Sequence, residues 1–165
     1  MNLFIKKISD GIYKVERPAL GGLIMAVVVL LFVNVILRYV FNAPLAWADE
    51  IARFLFTWIS FVGASAAIKN KGHVAIDNFI TRLSLEKQVW INLFTNGCIV
   101  CSMVLLIVYS VILMNMFSAA SLASISIPQN VLYVSLPLSA FAMIIHLAEI
   151  MVEETEKLHA SKGGI

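Results

Sequence analysis

Four long apolar runs constrain this chain more than any other feature. Their middles, Val27–Phe32, Trp58–Ala64, Met103–Val108 and Leu138–Ile144, hold no charged residue. A run of about 20 apolar residues is long enough to cross the hydrocarbon of a bilayer as a helix. In lipid, the backbone groups of a single spanning segment are satisfied only within a helix. The chain is 61% hydrophobic and 13% charged, whereas a soluble domain carries about 25% charge. The expected fold class is therefore an all-α integral membrane protein of four tilted transmembrane helices with short amphipathic interfacial helices. A net charge of +2 gives no case for a nucleic-acid partner.

The pattern divides the chain into three parts. Residues 1–18 form an N-terminal segment in which Leu3, Phe4, Ile8, Ile12 and Val15 recur at helical spacing among Lys6, Lys7, Lys14 and Arg17. That pattern predicts a short amphipathic helix on the membrane surface. Residues 19–152 form the membrane domain, with spans predicted at 19–41, 44–68, 89–117 and 130–152 and an interfacial helix over 73–87. Residues 153–165 are a polar tail. The first run lacks a small-residue cleavage site at its end, so it reads as an uncleaved span rather than a signal peptide. Asn42-Ala43-Pro44 should break the first helix, with Pro44 in the first turn of the second. Pro137 should kink the fourth.

Lys and Arg placement sets the expected orientation. The N-terminal segment carries Lys6, Lys7, Lys14 and Arg17; the connection after the second span carries Lys69, Lys71, Arg82 and Lys87; the tail adds Lys157 and Lys162. The connection after the third span, Ser118–Gln129, has none. Both termini should face the cytoplasm, and the turn at Asn42 and the 118–129 loop should face outward.

The stretch from Arg38 to Arg53 holds most of the charge near the first two runs. Charges next to hydrocarbon are unfavourable unless they pair, reach water or face protein. On the second helix, Glu50, Arg53, Thr57, Ser60, Ala64 and Ala67 share one face, polar at the outer end and small at the inner end. Small and hydroxyl residues let membrane helices approach and hydrogen-bond, so the bulky opposite side, Ile51, Leu55, Ile59 and Val62, should meet lipid. On the first helix Asn34, Arg38 and Asn42 also share a face. The two stripes should face each other or one partner, with Arg38 near Asp49 or Glu50. The simpler alternative leaves Asp49 and Arg53 pairing within their helix in the headgroup layer.

The chemistry of an autonomous transporter or enzyme is missing. No mid-membrane acid and no nucleophile–base or phosphate-loop pattern is present. Cys98 and Cys101 lie inside an apolar run and read as small apolar side chains. His146, with Glu149 three residues on, could relay a proton, but reads better as an interface pair reaching the headgroups. His73 and Asp77, four apart, read as a surface pair capping the interfacial helix, not a metal site. No catalytic residue, metal or cofactor is expected.

Against this background one pattern is distinctive: Arg38-x-x-Phe41-Asn42-x-Pro44-Leu45-x-Trp47-x-x-Glu50-x-Ala52-Arg53-x-Leu55-Phe56, then Gly63-Ala64-Ser65-x-Ala67, then Gly72-His73-Val74-x-Ile76-Asp77, and later Leu136-Pro137-Leu138. With four spans and this length, it resembles the small membrane subunit of tripartite ATP-independent periplasmic (TRAP) transporters over nearly the whole chain. The resemblance implies a multi-pass protein of the bacterial inner membrane. It implies two protein partners besides membrane lipids: a large, sodium-coupled, elevator-type membrane subunit and a periplasmic substrate-binding protein. The substrate class would be an organic acid, sialic acid or a C4-dicarboxylate. In that setting Asn34, Arg38, Glu50, Arg53, Thr57, Ser60 and Ala64 are expected at the large-subunit or intra-bundle interface. Asn42, Pro44, Trp47 and Asp49 are expected where the binding protein docks, and His73 and Asp77 in a cytoplasmic motif. Trp47, Trp58 and Trp90 should help to hold the bundle's depth. The competing reading is a membrane anchor of an electron-transfer complex.

Overall fold

A computed structural model of the chain describes residues 2–70, 84–118, 121, 124 and 128–162. Among these the regular elements are helices: α1 (Asn2–Tyr39), α2 (Ala48–Lys69), α3 (Leu85–Met116), the short α4 (Asn130–Tyr133) and α5 (Ser135–Lys162). Four segments are long and apolar enough to cross a membrane. The surface helix expected over 73–87 falls almost wholly outside the described residues, and its last three positions belong to α3. His73 and Asp77 likewise lie outside them.

α1 differs from its expectation. No break separates residues 1–18 from the span; one helix of 38 residues passes straight through Pro18. A proline inside a helix removes one backbone hydrogen bond and is unfavourable by about 3 kcal/mol. Two facts explain why the helix continues. Pro18 is exposed, so the carbonyl it frees is not trapped in a core. Contacts also hold the helix on both sides: Ser9 and Glu16 are buried before it, Val27 and Asn34 after it. These four share one side of α1.

The first turn also starts its second helix later than expected. Val40 N–H returns to the Ile36 carbonyl at 2.8 Å and Ala43 N–H to that of Leu37 at 2.9 Å. Asn42 makes the reversal possible with φ 51°, a left-handed conformation that asparagine tolerates better than most residues. Pro44 stays in the turn, and α2 begins at Ala48, with Asp49 and Glu50 in its first turn. Their charges suit the positive end of the helix dipole.

α5 is the hub. It packs on α1, α2 and α3, while α1 also packs on α2; α2 and α3 make no comparable contact. The buried surfaces of α2 and α5 are rich in small residues: Ala48, Ala52, Ser65 and Ala66 on one, Ser135, Ser139, Ala140 and Ala142 on the other. Within lipid, association rests on such close approach rather than on apolar burial. Ile68, Met143 and Leu147 form a buried apolar cluster, with Ala64, Ile99 and Met103 against it. Outward from that cluster the gap between α2 and α3 leaves a cavity of about 360 Å³, bounded by Ser60 and Phe61 on one side and Met103 and Leu106 on the other.

The effect of Pro137 is visible as the division between α4 and α5. Proline cannot donate to the Tyr133 carbonyl, and the helix breaks at Val134 before resuming at Ser135. Phe117, capping α3, stacks on Tyr133 with ring centroids 5.4 Å apart, which ties the ends of α3 and α4 together. Trp58 departs from its expected role as a depth anchor. It sits halfway along α2, and its buried indole N–H has no partner among the described residues. Trp47 and Trp90 lie close to helix ends, where indoles favour the membrane interface.

Candidate functional site

Two polar regions lie at opposite ends of α2. At its N-terminal end the turn from Val40 to Trp47 is pinned from below. Asn34 is buried, and its Oδ1 accepts the Leu45 N–H at 3.0 Å. Asn34 therefore holds its own turn in shape, an intra-bundle role. Glu50 reaches the loop after α3: its carboxylate accepts the Ser124 N–H at 3.1 and 3.2 Å and the Ser124 hydroxyl at 3.3 Å. Ser124 Oγ also stands 3.4 Å from the Ala46 carbonyl. One carboxylate thus fastens both loops of this end to each other.

The arginines behave differently. Arg38 and Arg53 are exposed, and neither forms an ion pair among the described residues. The expected contact of Arg38 with Asp49 or Glu50 is not made; Glu50 is engaged by Ser124 instead. Nor do Asp49 and Arg53 pair within their helix. Both line an open groove of about 510 Å³ together with Thr57, Ser60, Phe56 and Leu31 of α1. The two hydroxyls in it are satisfied locally, Thr57 donating to the Arg53 carbonyl at 2.9 Å and Ser60 to that of Phe56 at 2.8 Å. They present small, hydrogen-bonded surface to the groove.

The α2 stripe therefore divides. Its inner end, at Ala64, packs on the chain's own apolar cluster, while Arg53 and Ser60 remain exposed. The side expected to meet lipid, Ile51, Leu55, Ile59 and Val62, is half-buried within the bundle. Among the residues expected at the docking surface, Asn42, Pro44, Trp47 and Asp49 are all exposed. Tyr39, Val40 and Phe41 beside them are more than 60% exposed.

At the other end of α2 polar groups from three helices meet, with Ser9, Glu16, Ser65, His146 and Glu149 buried. Ser65 donates to Glu16 Oε1 at 2.6 Å, Ser9 Oγ lies 2.6 Å from His146 Nδ1, and His146 Nε2 is 3.4 Å from Glu16 Oε2. Because a carboxylate only accepts, the ring hydrogen sits on Nε2 facing Glu16, and in the neutral ring Nδ1 accepts from Ser9. Lys69 closes the layer, 2.8 Å from Asp10 and 2.5 Å from Glu149. Asn70 donates to the Tyr13 hydroxyl at 3.0 Å. Three helices are joined by this clasp.

Sequence reasoning found two of its members and mispaired them. His146 and Glu149 do not form an interface pair open to headgroups: both are buried, and each bonds across to another helix. Ser9, Asp10 and Glu16 have no role in the sequence reading, Ser65 enters it only through its motif and Lys69 only through orientation. The available signal was Ser9 and Glu16 seven residues apart on one face of an otherwise basic segment.

Comparison with known proteins places these features. A family profile described as "Tripartite ATP-independent periplasmic transporters, DctQ component" matches residues 27–157. A sialic acid TRAP transporter permease protein, SiaT, of Haemophilus influenzae is 39% identical over 85 residues, which is 52% of this chain and 13% of that protein. The C4-dicarboxylate TRAP transporter small permease protein DctQ of Vibrio cholerae is 34% identical over 96 residues, 58% of this chain and 41% of the relative. The isethionate TRAP transporter permease protein DctMQ of Oleidesulfovibrio alaskensis is 26% identical over 142 residues, 81% of this chain and 22% of the relative. In each case the matched part is less than half of the relative.

Proposed function

Because this chain belongs to the DctQ component family of tripartite ATP-independent periplasmic transporters, a family of transporter permease subunits rather than enzymes, we propose that it is the small scaffold subunit of a binding-protein-dependent importer. In this reading it pairs with a larger membrane subunit, and a soluble binding protein docks at its outer end. The observation that carries the reading is the open groove along α2, lined by Asp49, Arg53, Thr57 and Ser60 with Leu31 of α1. A guanidinium at this depth calls for protein or water beside it. The groove is open, and the cavity between α2 and α3 adjoins it at Ser60 and Phe61. Two relatives are permeases several times longer than their matched segment, which supports the idea that a short chain works alongside a large one.

The mechanism follows from rigidity. A transporter that moves its substrate site across the bilayer needs a part that stays fixed. The clasp at one end and the Glu50–Ser124 tie at the other hold the helices of this chain in one arrangement. The unoccupied stripe then attaches that rigid body to the static part of its partner. The relatives' names point to organic anions, and we take the substrate class as an organic acid, sialic acid or a C4-dicarboxylate, carried with sodium by the larger subunit. The site is proposed for a bacterial inner membrane, with both termini cytoplasmic and the Asn42 turn periplasmic. The electron-transfer alternative is less well supported, because both ring nitrogens of the in-span His146 are already engaged.

Co-expression with the larger subunit tests the proposal. The two should co-purify, and proteoliposomes containing both plus the binding protein should accumulate the organic acid on a sodium gradient. Uptake by this chain alone would overturn the scaffold reading.

A further inference from the structure

We propose that the N-terminal stretch of α1, from Phe4 to Arg17, is a binding surface for anionic phospholipid headgroups that fixes the depth and tilt of the bundle. The inference stands on α1 alone and does not depend on the transporter reading. Phe4, Ile8 and Val15 are 70%, 39% and 69% exposed and share one side of the helix at steps of four and seven. The same side continues through Gly22, Val29 and Val33, which are exposed and apolar, so the stretch prolongs the lipid-facing side of the span. Gly11, in the middle of the stretch, has nothing within 4 Å of where a Cβ would stand, confirming that the side is open.

Lys7 and Lys14 are exposed along one edge of the apolar side, and Arg17 is exposed farther round the helix. Of the acids of the stretch, Glu16 is buried on Ser65 and His146, and Asp10, on the same flank as Lys14 and Arg17, is taken by Lys69. Lys6 is not part of the surface, since it lines a small cavity with Glu149, Glu153 and Glu156 of α5. The outward side is therefore apolar with Lys7 and Lys14 at its edge, and the one half-exposed acid near them is neutralised by Lys69, the combination that settles at the boundary of headgroups and acyl chains.

Length places it there. A helix of 38 residues is about 57 Å long, against about 40–45 Å for a bilayer with its headgroups. The stretch must lie at or beyond one headgroup layer, and a tilted α1 lays its lipid-facing side onto that layer. The clasp holds the opposite side of the same turns to α2 and α5, so headgroup binding transmits its angle to the whole bundle.

The test uses the full chain with Cys98→Ser and Cys101→Ser and a spin label at Val15→Cys, in vesicles of phosphatidylcholine with or without phosphatidylglycerol. With phosphatidylglycerol, the label should gain access to oxygen and lose access to an aqueous nickel chelate. Lys7→Gln, Lys14→Gln and Arg17→Gln together should remove that difference while helicity is unchanged. Phosphatidylglycerol retained on the detergent-extracted protein in native mass spectrometry should fall by about five-fold per cation removed. A label equally open to the aqueous probe in both lipids, or a triple variant that still responds, overturns the proposal. So does a label shielded from both probes when the chain is co-reconstituted with its larger subunit, because a protein would then cover this side.

Discussion

The two ends of α2 handle charge in opposite ways. At the Lys69 end the charges that face the other helices have internal partners: Lys69 with Asp10 and Glu149, Glu16 with Ser65 and His146. At the Arg53 end only Glu50 is tied down, and Arg38, Asp49 and Arg53 are left without partners among the described residues. A chain that can close one polar layer over three helices has the means to close both. The open end is thus the one where an external partner is to be expected, and the closed end is what keeps the open one in shape.

The comparison breaks most readily at Lys69. Lys69→Met should lower stability in detergent by about 3 kcal/mol, because Glu149 is left buried without its cation. Thermal unfolding followed by circular dichroism measures it. Replacing Lys69 and Glu149 together by Met and Leu should recover most of the loss, since removing a buried pair whole is often nearly neutral. If the double variant is no better than the single one, the layer is held by something other than this pair.

The open end predicts the reverse pattern. Arg53→Leu combined with Thr57→Phe should leave the chain's own stability within about 0.5 kcal/mol, as expected for surface positions. Its affinity for the larger subunit should fall at least about tenfold, equivalent to about 1.4 kcal/mol. Binding of the purified subunits in nanodiscs reads this directly. Unfolding of the variant, or full affinity with the groove filled, would erase the distinction between the two ends.

Asn34 tests whether the turn is built by the chain or by its partner. Asn34→Ala removes the acceptor for Leu45 N–H and should destabilise by about 1 kcal/mol. Hydrogen exchange at Leu45 should speed up in the isolated chain. If exchange there changes only in the complex, the partner shapes the turn.

These contrasts also show what could be read from residues alone. The four spans follow from run length, and the break after the first from Asn42-Ala43-Pro44. The division at Val134 follows from the donor that Pro137 lacks. The clasp was not legible, because its bonds join Ser9 to His146, Glu16 to Ser65 and Lys69 to Glu149. Such pairs are far apart in sequence, and a local reading couples His146 with Glu149, or Asp49 with Arg53, simply because they are one turn apart. The boundary expected after residue 18 is absent for the same reason: contacts on α2 and α5 that no window of α1 contains carry one helix through it. On α2, helical spacing groups Arg53, Ser60 and Ala64 on one face but does not tell that Ala64 packs on the chain's own apolar cluster while Arg53 and Ser60 stay exposed.

The smallest effect separates packing from polarity within α2, midway between the two ends. Trp58 stacks in a tilted arrangement on Phe54, with ring centroids 6.1 Å apart, and its indole N–H is buried without a partner. An unpaired donor in a low-dielectric setting is unfavourable, while the ring itself contributes contact area. Trp58→Phe keeps much of that contact and removes the donor, so stability should change by less than about 0.5 kcal/mol, the loss of ring area offset by relief of the unpaired N–H. Trp58→Ala removes both and should cost about 3 kcal/mol. A large loss in Trp58→Phe would mean that the indole N–H has a partner in the assembled complex or in lipid, and the middle of α2 would then join its outer end as surface shaped by something outside this chain.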